Sequence, residues 1–279
     1  MTAQDYFDEI KEYQRQLDEQ LRAPDGWLTL VGLHWLNEGK NTVGAALTCD
    51  IPLPEGTGPG LVGTIVKTEN TVTFMPYPGV EVKIGEQIIK SETELESDIN
   101  QNPTILSIGE VSIYLVIRNS RFGIRVKYET SPNRVNFEGR VWWPIDIEKR
   151  VTAAIEYYDP QKMVDVPDVL GNVNKTAMDC ALKFQVGGLE YSLDAFGLPS
   201  GQFYILFQDL SCQNGSYPAG RFLVTEYPED EAVVIDFNKA HNPPCAFTSF
   251  ATCPLPPEQN HLDIEIKAGE RYKPLLGLH

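Results

Sequence analysis

The chain has 279 residues, of which 42% are hydrophobic, and it carries a formal net charge of −16. This length and this hydrophobic content predict a globular protein with enough apolar side chains for one large domain or two packed lobes. The strong negative charge disfavours nucleic acid and anionic membrane surfaces as partners, because both would be repelled. We therefore expect neither nucleic acid nor a membrane as a partner.

The amino terminus and the cysteines indicate the compartment. No run of 18 apolar residues occurs in the sequence, which predicts that no helix spans a membrane. The opening MTAQDYFDEIKEYQRQLDEQLR is charged and lacks the apolar block of a signal peptide. Five widely spread cysteines indicate reduced thiols rather than a disulfide framework. We expect a cytoplasmic protein.

Residues 5–22 are predicted to form an amphipathic helix. Its apolar residues recur at steps of three and four positions: Tyr6, Ile10, Tyr13, Leu17 and Leu21. The Pro-Asp-Gly run at residues 24–26 ends the helix. Such a stripe has to be buried. We expect residues 1–25 to form an arm packed on the body of the same chain or, alternatively, a homodimer contact.

Beyond the helix the sequence predicts a mainly β protein. Glycine and proline occur 22 and 20 times and separate short β-branched or aromatic runs, which is typical of sandwiches and barrels. Strands are predicted at residues 111–117, 123–128, 203–209, 232–237 and 262–268, and a hairpin turn at Gly187-Gly188. We expect two packed sandwich-like or barrel-like lobes, residues 26–130 and 176–279, with a connecting segment at residues 131–175.

The first lobe resembles the forkhead-associated sandwich. GKNTVGAALTCDIPLP is followed by a strand-like segment and then by VEVKIGEQI and LSIGEVSIYLVIR. In that fold a glycine-led strand, an x-D-I-x-L segment and a v-x-v-N-G turn succeed one another in the same order. The arginine and the Ser-x-x-His that bind phosphothreonine there have no counterpart in GKNTVG or after Pro54. The resemblance thus implies the fold without the phosphopeptide function.

A second resemblance covers most of the chain. FQD, GSYPAGRF, DFNKAHNPPCAF, CPLPPEQNHL and AGE follow one another between residues 207 and 270, and GWLTLVGLHWLNEGKNTVG lies near the front. These motifs resemble the prokaryotic family catalogued as domain of unknown function 1684. The resemblance implies membership of that family and no particular reaction, so the function has to be argued from the residues themselves.

The proline-rich segment 238–260 is the predicted binding loop. Its prolines restrict the backbone to extended conformations, and a rigid loop can hold polar side chains at low entropic cost. We expect Asn238, Asn242 and Asn260 to bind a small polar or anionic metabolite. The alternative is a purely structural loop, because irregular backbone needs polar side chains as hydrogen-bond partners.

A second group of ligand-binding candidates lies near turns, and it combines cationic with aromatic side chains. Arginines can hold a carboxylate or a phosphate through paired hydrogen bonds. The competing interpretation is that the arginines pair with the excess acidic residues of the chain. The candidates in this group are His34, Trp35, Arg118, Arg125, Arg140 and Arg221.

Asp209 and Asp236 stand at the ends of predicted strands, where ligands often bind. They are the candidate acid and base of a metal-independent hydrolase or lyase. Cys245 and Cys253 are too far apart in sequence for a zinc knuckle, and their apolar neighbours are typical of buried thiols. Prolines between His241 and Cys245 oppose a cysteine-hydrolase pair. We therefore predict no metal and no cofactor.

Overall fold

The computed structural model describes residues 2–100 and 102–274. The chain divides into two compact units. Unit 1 consists of Met1–Leu21 and Glu138–His279, and unit 2 consists of Arg22–Phe137. Unit 2 is therefore inserted in sequence between the two segments of unit 1, and the amino-terminal residues fold with the second half of the chain.

Helix α1 (Ala3–Arg22) confirms the predicted helix. Tyr6, Ile10 and Leu21 of its apolar stripe are buried, and the remaining stripe residues are half-buried. The stripe packs within unit 1, so the amino-terminal helical arm is present as predicted. The homodimer contact stays a prediction. No helix in the described part of the chain combines the length and the apolar character needed to cross a bilayer.

Unit 2 is built from two β-sheets that share one hydrophobic core. Its strands are β1 Leu30–Trp35, β2 Gly39–Gly44, β3 Ile51–Pro52, β4 Gly63–Lys67, β5 Val72–Pro76, β6 Lys83–Ile84, β7 Gln87–Ile88, β8 Thr93–Glu94, β9 Ile105–Ile108, β10 Val111–Arg118 and β11 Arg121–Tyr128. A short helix, α2 (Pro132–Val135), follows β11. The sheets have the orders β1-β11-β10-β9-β6-β7 and β3-β2-β4-β5-β8.

The core of unit 2 explains why these strands form a sandwich. Ile65 and Phe74 from one sheet lie in the same buried cluster as Ile113 and Ile124 from the other. Alternating burial along the strands supplies these side chains from one face of each sheet. The mainly β architecture is therefore confirmed. The closer resemblance to the forkhead-associated sandwich stays a prediction.

Unit 1 contains a second β structure. Its strands are β12 Val141–Trp142, β13 Arg150–Pro167, β14 Val173–Val186, β15 Leu189–Gly197, β16 Phe203–Asp209, β17 Arg221–Val224, β18 Ala232–Asp236, β19 His261–Leu262 and β20 Glu270–Arg271. The main sheet has the order β17-β16-β15-β14-β13-β18, with β19 pairing parallel to β16, while β12 pairs with β20. Phe184, Phe207 and Phe237 pack together at its core, with ring centroids 5.5–5.7 Å apart.

Two segments of unit 1 differ from the sequence-based expectation. Strand β13 occupies residues 150–167, within the segment that we expected to connect two lobes. The strand predicted at residues 262–268 ends at Leu262. Its remaining backbone bonds instead to buried side chains: Ile266 N–H donates to Asp209, and Arg221 donates to the carbonyls of Ile266 and Ala268. The predicted Gly187-Gly188 hairpin is present, with φ of 61° and 80°.

Candidate functional site

The first candidate acid, Asp209, is enclosed in an ion pair at the end of β16. Its Oδ1 lies 2.6 Å from Nη2 of Arg221, and both side chains are wholly buried. Asp209 Oδ2 accepts from the Ile266 backbone N–H at 2.7 Å, and Arg221 donates to the Ala268 carbonyl at 2.5 Å. These contacts join β16 and β17 to the carboxy-terminal segment. All of them are made to protein groups.

The second candidate, Asp236, anchors helix α1. The Tyr6 hydroxyl lies 3.0 Å from both carboxylate oxygens of Asp236, and the backbone N–H of Asn238 donates to Oδ1 at 3.0 Å. Burial raises the pKa of Asp236, although these donors oppose the rise. Asn238 Nδ2 also donates to the Tyr6 hydroxyl and to the Asp146 carbonyl, at 2.8 Å each. Asp236 and Asn238 therefore connect the helix, β18 and the loop that follows it.

The other two loop asparagines also bond to the backbone. Asn260 accepts from Asp194 N–H at 2.7 Å and donates to the carbonyls of Asp194 and Leu206, so it bridges β15 and β16. Asn242 donates through Nδ2 to the Arg271 carbonyl at 3.0 Å. Its Oδ1 is buried and has no hydrogen-bond partner within the described residues. Asn238, Asn242 and Asn260 thus hold the loop in place.

Arg140 lies in the same unit and forms the second buried ion pair. Its Nη1 is 2.5 Å from Glu270 Oε2, with 7% and 2% of the two side chains exposed. Asp18 of helix α1 lies 3.7 Å from Nε of Arg140, and Asn242 N–H donates to Glu270 at 2.8 Å. Burial raises the pKa of Glu270 to about 7, and the Arg140 charge opposes that rise.

The glycine of the AGE motif is required by geometry. Gly269 has φ +76°, and a Cβ there would lie 2.4 Å from the Ala240 carbonyl oxygen. The next residue, Glu270, donates its backbone N–H to that same oxygen at 2.8 Å. Close approach of the two backbones therefore needs a residue without a side chain, and this approach places Glu270 beside Arg140 and the start of the loop.

The remaining candidates lie in unit 2. Arg118 pairs with Asp98 at 2.5 Å, and Arg125 is buried on β11. His34 and Trp35 end β1, and burial lowers the pKa of His34. The structure thus divides the predicted binding residues between the two units.

Unit 1 carries an open cleft with a volume of ≈ 710 Å³. Four parts of unit 1 line it: helix α1, Gln202 before β16, the end of β17 with the segment after it, and the first residues of the loop 238–260. The chemically informative lining residues are Glu9, Tyr13, Glu226, Glu229, Lys239 and His241. We call this feature the α1 cleft.

His241 is neutral in this cleft. Burial and the nearby Arg140 charge lower its pKa to about 4. Its Nδ1 lies 3.3 Å from the Lys239 carbonyl and 3.3 Å from the Tyr13 hydroxyl, which itself donates to that carbonyl at 2.9 Å. Because a carbonyl only accepts, Nδ1 carries the ring proton. Nε2 then remains as a hydrogen-bond acceptor, with no partner among the described residues.

The charges of the cleft are mostly negative. Lys239 Nζ lies 2.6 Å from Glu9 and 3.8 Å from Glu226. Arg150, which is not a lining residue, pairs with Glu226 at 2.7 Å. Glu229 adds a third carboxylate to the lining. The lining therefore holds three carboxylates and one ammonium group, and it presents mainly hydrogen-bond acceptors.

Sequence reasoning missed the cleft itself. Tyr13 was assigned only to the apolar stripe, and His241 was considered only as the base of a cysteine nucleophile. A polar-tipped residue within an apolar helix stripe was the available signal. The partner segment could not be identified, because Tyr13 and Lys239 are 226 residues apart. Within the described residues, no group of three or more His, Cys, Asp or Glu side chains is arranged to hold a metal ion.

Comparisons with known proteins show a family match over part of the chain. No curated protein matches the chain. The chain is similar to an uncharacterized protein of Haloarcula marismortui, known from a solution NMR structure, with 28% identity over 50% of this chain and 78% of that chain and a TM-score of 0.41. Residues 135–271 match the sequence model of a family described as "Protein of unknown function (DUF1684)". The resemblance to this family that the signature motifs predicted is therefore confirmed over residues 135–271.

Proposed function

We propose that unit 1 binds a small polar molecule in the α1 cleft. The proposal rests on one observation: an open cleft of ≈ 710 Å³ is lined by a neutral histidine and several carboxylates. The volume lies in the range of small-molecule sites, roughly 300–1,000 Å³. Of the predicted binding loop, Lys239 and His241 contribute to the lining.

The chemistry of the lining selects a ligand rich in hydrogen-bond donors. His241 Nε2 and Glu229 accept hydrogen bonds from a ligand, whereas Glu226 is paired with Arg150 and the ammonium group of Lys239 is paired with Glu9. An anion would meet three carboxylates there and be repelled. We infer a neutral or cationic ligand bearing hydroxyl or amino groups, such as a polyol, an amino sugar or a polyamine.

The alternatives have less support. Asp209 and Asp236 are buried and hydrogen-bonded to protein groups, so a hydrolase using them lacks an accessible base. A purely structural loop accounts for Asn238, Asn242 and Asn260. It does not account for the acceptors of His241 and Glu226 that line the cleft.

Ligand-dependent thermal stability tests the proposal. We expect polyols, amino sugars or polyamines to raise the melting temperature of the protein, because a ligand that binds only the folded state stabilises it by mass action. Dicarboxylates of the same size should give no shift. His241→Phe and Glu226→Gln should abolish the ligand-induced shift.

The matched control is His261→Gln. His261 is an exposed histidine of the same unit that does not line the cleft, so this variant should keep the full shift. The proposal is overturned if no donor-rich compound raises the melting temperature, or if the shift survives in both His241→Phe and Glu226→Gln.

A further inference from the structure

Two cysteines of the loop 238–260 lie side by side. Cys245 is half-buried in the 3₁₀ turn Pro244–Ala246, and Cys253 is buried eight residues later. The backbone N–H of Cys245 donates to the sulfur of Cys253 at 3.3 Å. The loop therefore returns on itself at this point and brings two reduced thiols together.

The surroundings of Cys245 favour its thiolate. Hydrogen bonding with Cys253 and Tyr217 lowers the pKa of Cys245, and burial opposes this shift. The Tyr217 hydroxyl also lies 3.1 Å from the Cys245 backbone carbonyl, which holds it over this turn. A thiol with a lowered pKa and a path to solvent is the usual target of peroxide oxidation.

We propose that Cys245 and Cys253 form a redox-active pair that hydroperoxides convert to an intramolecular disulfide. In the first step the Cys245 thiolate attacks one peroxide oxygen and the O–O bond breaks. With hydrogen peroxide, the departing hydroxide takes the thiol proton and leaves as water, so Cys245 becomes a sulfenic acid. In the second step the Cys253 sulfur attacks the Cys245 sulfur and the S–O bond breaks. The hydroxide leaves with the Cys253 proton as a second water.

The electrons balance between the two partners. The two thiols together lose two electrons and two protons, and one peroxide is reduced to two waters. Cys245 is the attacking thiol because it is the more exposed of the two and its pKa is lowered. Cys253 is the resolving thiol, already held at the Cys245 backbone before any oxidation.

The other cysteines lack this arrangement. Burial raises the pKa of Cys180 to about 12 and that of Cys212 to about 11. Cys49 lies in unit 2 and donates to the Gly60 carbonyl at 3.3 Å. Only Cys245 combines partial exposure, a lowered pKa and a neighbouring thiol. This site is independent of the ligand proposed for the α1 cleft.

Peptide mapping of the full chain tests the pair. Reduced protein is treated with hydrogen peroxide, blocked with an alkylating reagent and digested for mass spectrometry. We expect a cross-linked peptide joining Cys245 to Cys253, lighter by two hydrogen atoms than the reduced pair and released again by dithiothreitol. In Cys253→Ser, dimedone should trap a sulfenic acid on Cys245, with no cross-link.

Two further variants sharpen the test. Tyr217→Phe should slow the reaction of Cys245 with peroxide several-fold, because Tyr217 helps to lower the pKa of Cys245. Cys49→Ser should leave the cross-link unchanged. The proposal is overturned if Cys245 and Cys253 of the wild-type protein are both recovered as separately alkylated residues at a peroxide concentration that oxidises Cys49. The wild-type result decides the matter even if a variant fails to fold.

Discussion

At the residue scale, the wholly buried pair of Asp209 and Arg221 predicts a large stability cost for removing one charge. Asp209→Asn keeps the size of the side chain and leaves Arg221 as a buried, uncompensated cation, which costs roughly 3–5 kcal/mol. Urea unfolding measures the loss of free energy. Asp165→Asn is the matched control, because its partner Lys175 and Asp165 itself are exposed and such pairs contribute about 1 kcal/mol or less. Equal losses in the two variants would contradict the prediction.

His241 predicts a stability change in the acidic range. Its pKa is lowered to about 4 in the folded protein from an ordinary value of 6.5. His241 therefore binds a proton below pH 6.5 in the unfolded chain, but only below about pH 4 in the folded protein. The stabilisation is complete above pH 6.5 and is lost as the pH falls through this window, by up to about 3 kcal/mol.

The measurement is a difference between variants, because another group changes stability in an overlapping window. Glu270, with its pKa raised to about 7, binds a proton in the folded state first, so it stabilises the protein as the pH falls. Subtracting the unfolding free energy of His241→Gln from that of the wild type isolates the histidine. The difference should decrease as the pH falls from 6.5 to 4. A flat difference for His241→Gln would refute the assignment.

At the scale of elements, the docking of helix α1 depends on one hydroxyl group. Tyr6→Phe removes the donor to Asp236 and the acceptor for Asn238, both buried. An unsatisfied buried carboxylate oxygen costs about 1–3 kcal/mol. Hydrogen exchange should therefore be faster in α1 of Tyr6→Phe than in α1 of the wild type, whereas exchange in the strands of unit 2 should be the same in both proteins. Phe7→Leu, at an exposed position of the same helix, should leave the exchange of α1 unchanged.

The elements also show which parts of the structure local sequence can predict. The α1 stripe and the strands at residues 111–117 and 203–209 were predicted because their periodicity is contained in the segment itself. Residues 263–268 have the same alternating pattern, but their backbone forms hydrogen bonds with the side chains of Asp209 and Arg221 from other strands. Asn260 likewise bonds to partners 54 and 66 residues away. The pattern within a segment contains no information on such partners, so the motifs were found and their roles were not.

At the scale of the whole molecule, the two units predict different behaviour of fragments. All buried residues of the unit 2 cluster lie between Val43 and Val126, so a fragment of residues 22–137 should fold alone. A fragment of residues 138–279 lacks α1 and the contacts of Tyr6 and Tyr13, and should be less stable. A peptide of residues 1–22 added in trans should restore part of that stability. Circular dichroism with thermal melting measures both effects, and a fragment 138–279 as stable as the full chain would contradict the arrangement.

The discontinuity of unit 1 has a consequence for protein synthesis. Helix α1 leaves the ribosome before the rest of unit 1, and Asp236, to which Tyr6 donates, follows Tyr6 by 230 residues. At about 5–20 residues per second this delay amounts to roughly 10–50 s. During that time the stripe of Tyr6, Ile10 and Leu21 lacks the surface against which it packs in unit 1, while all of unit 2 is synthesised. The nascent helix is therefore open to chaperones for that time, and the translation speed between α1 and β18 sets its length.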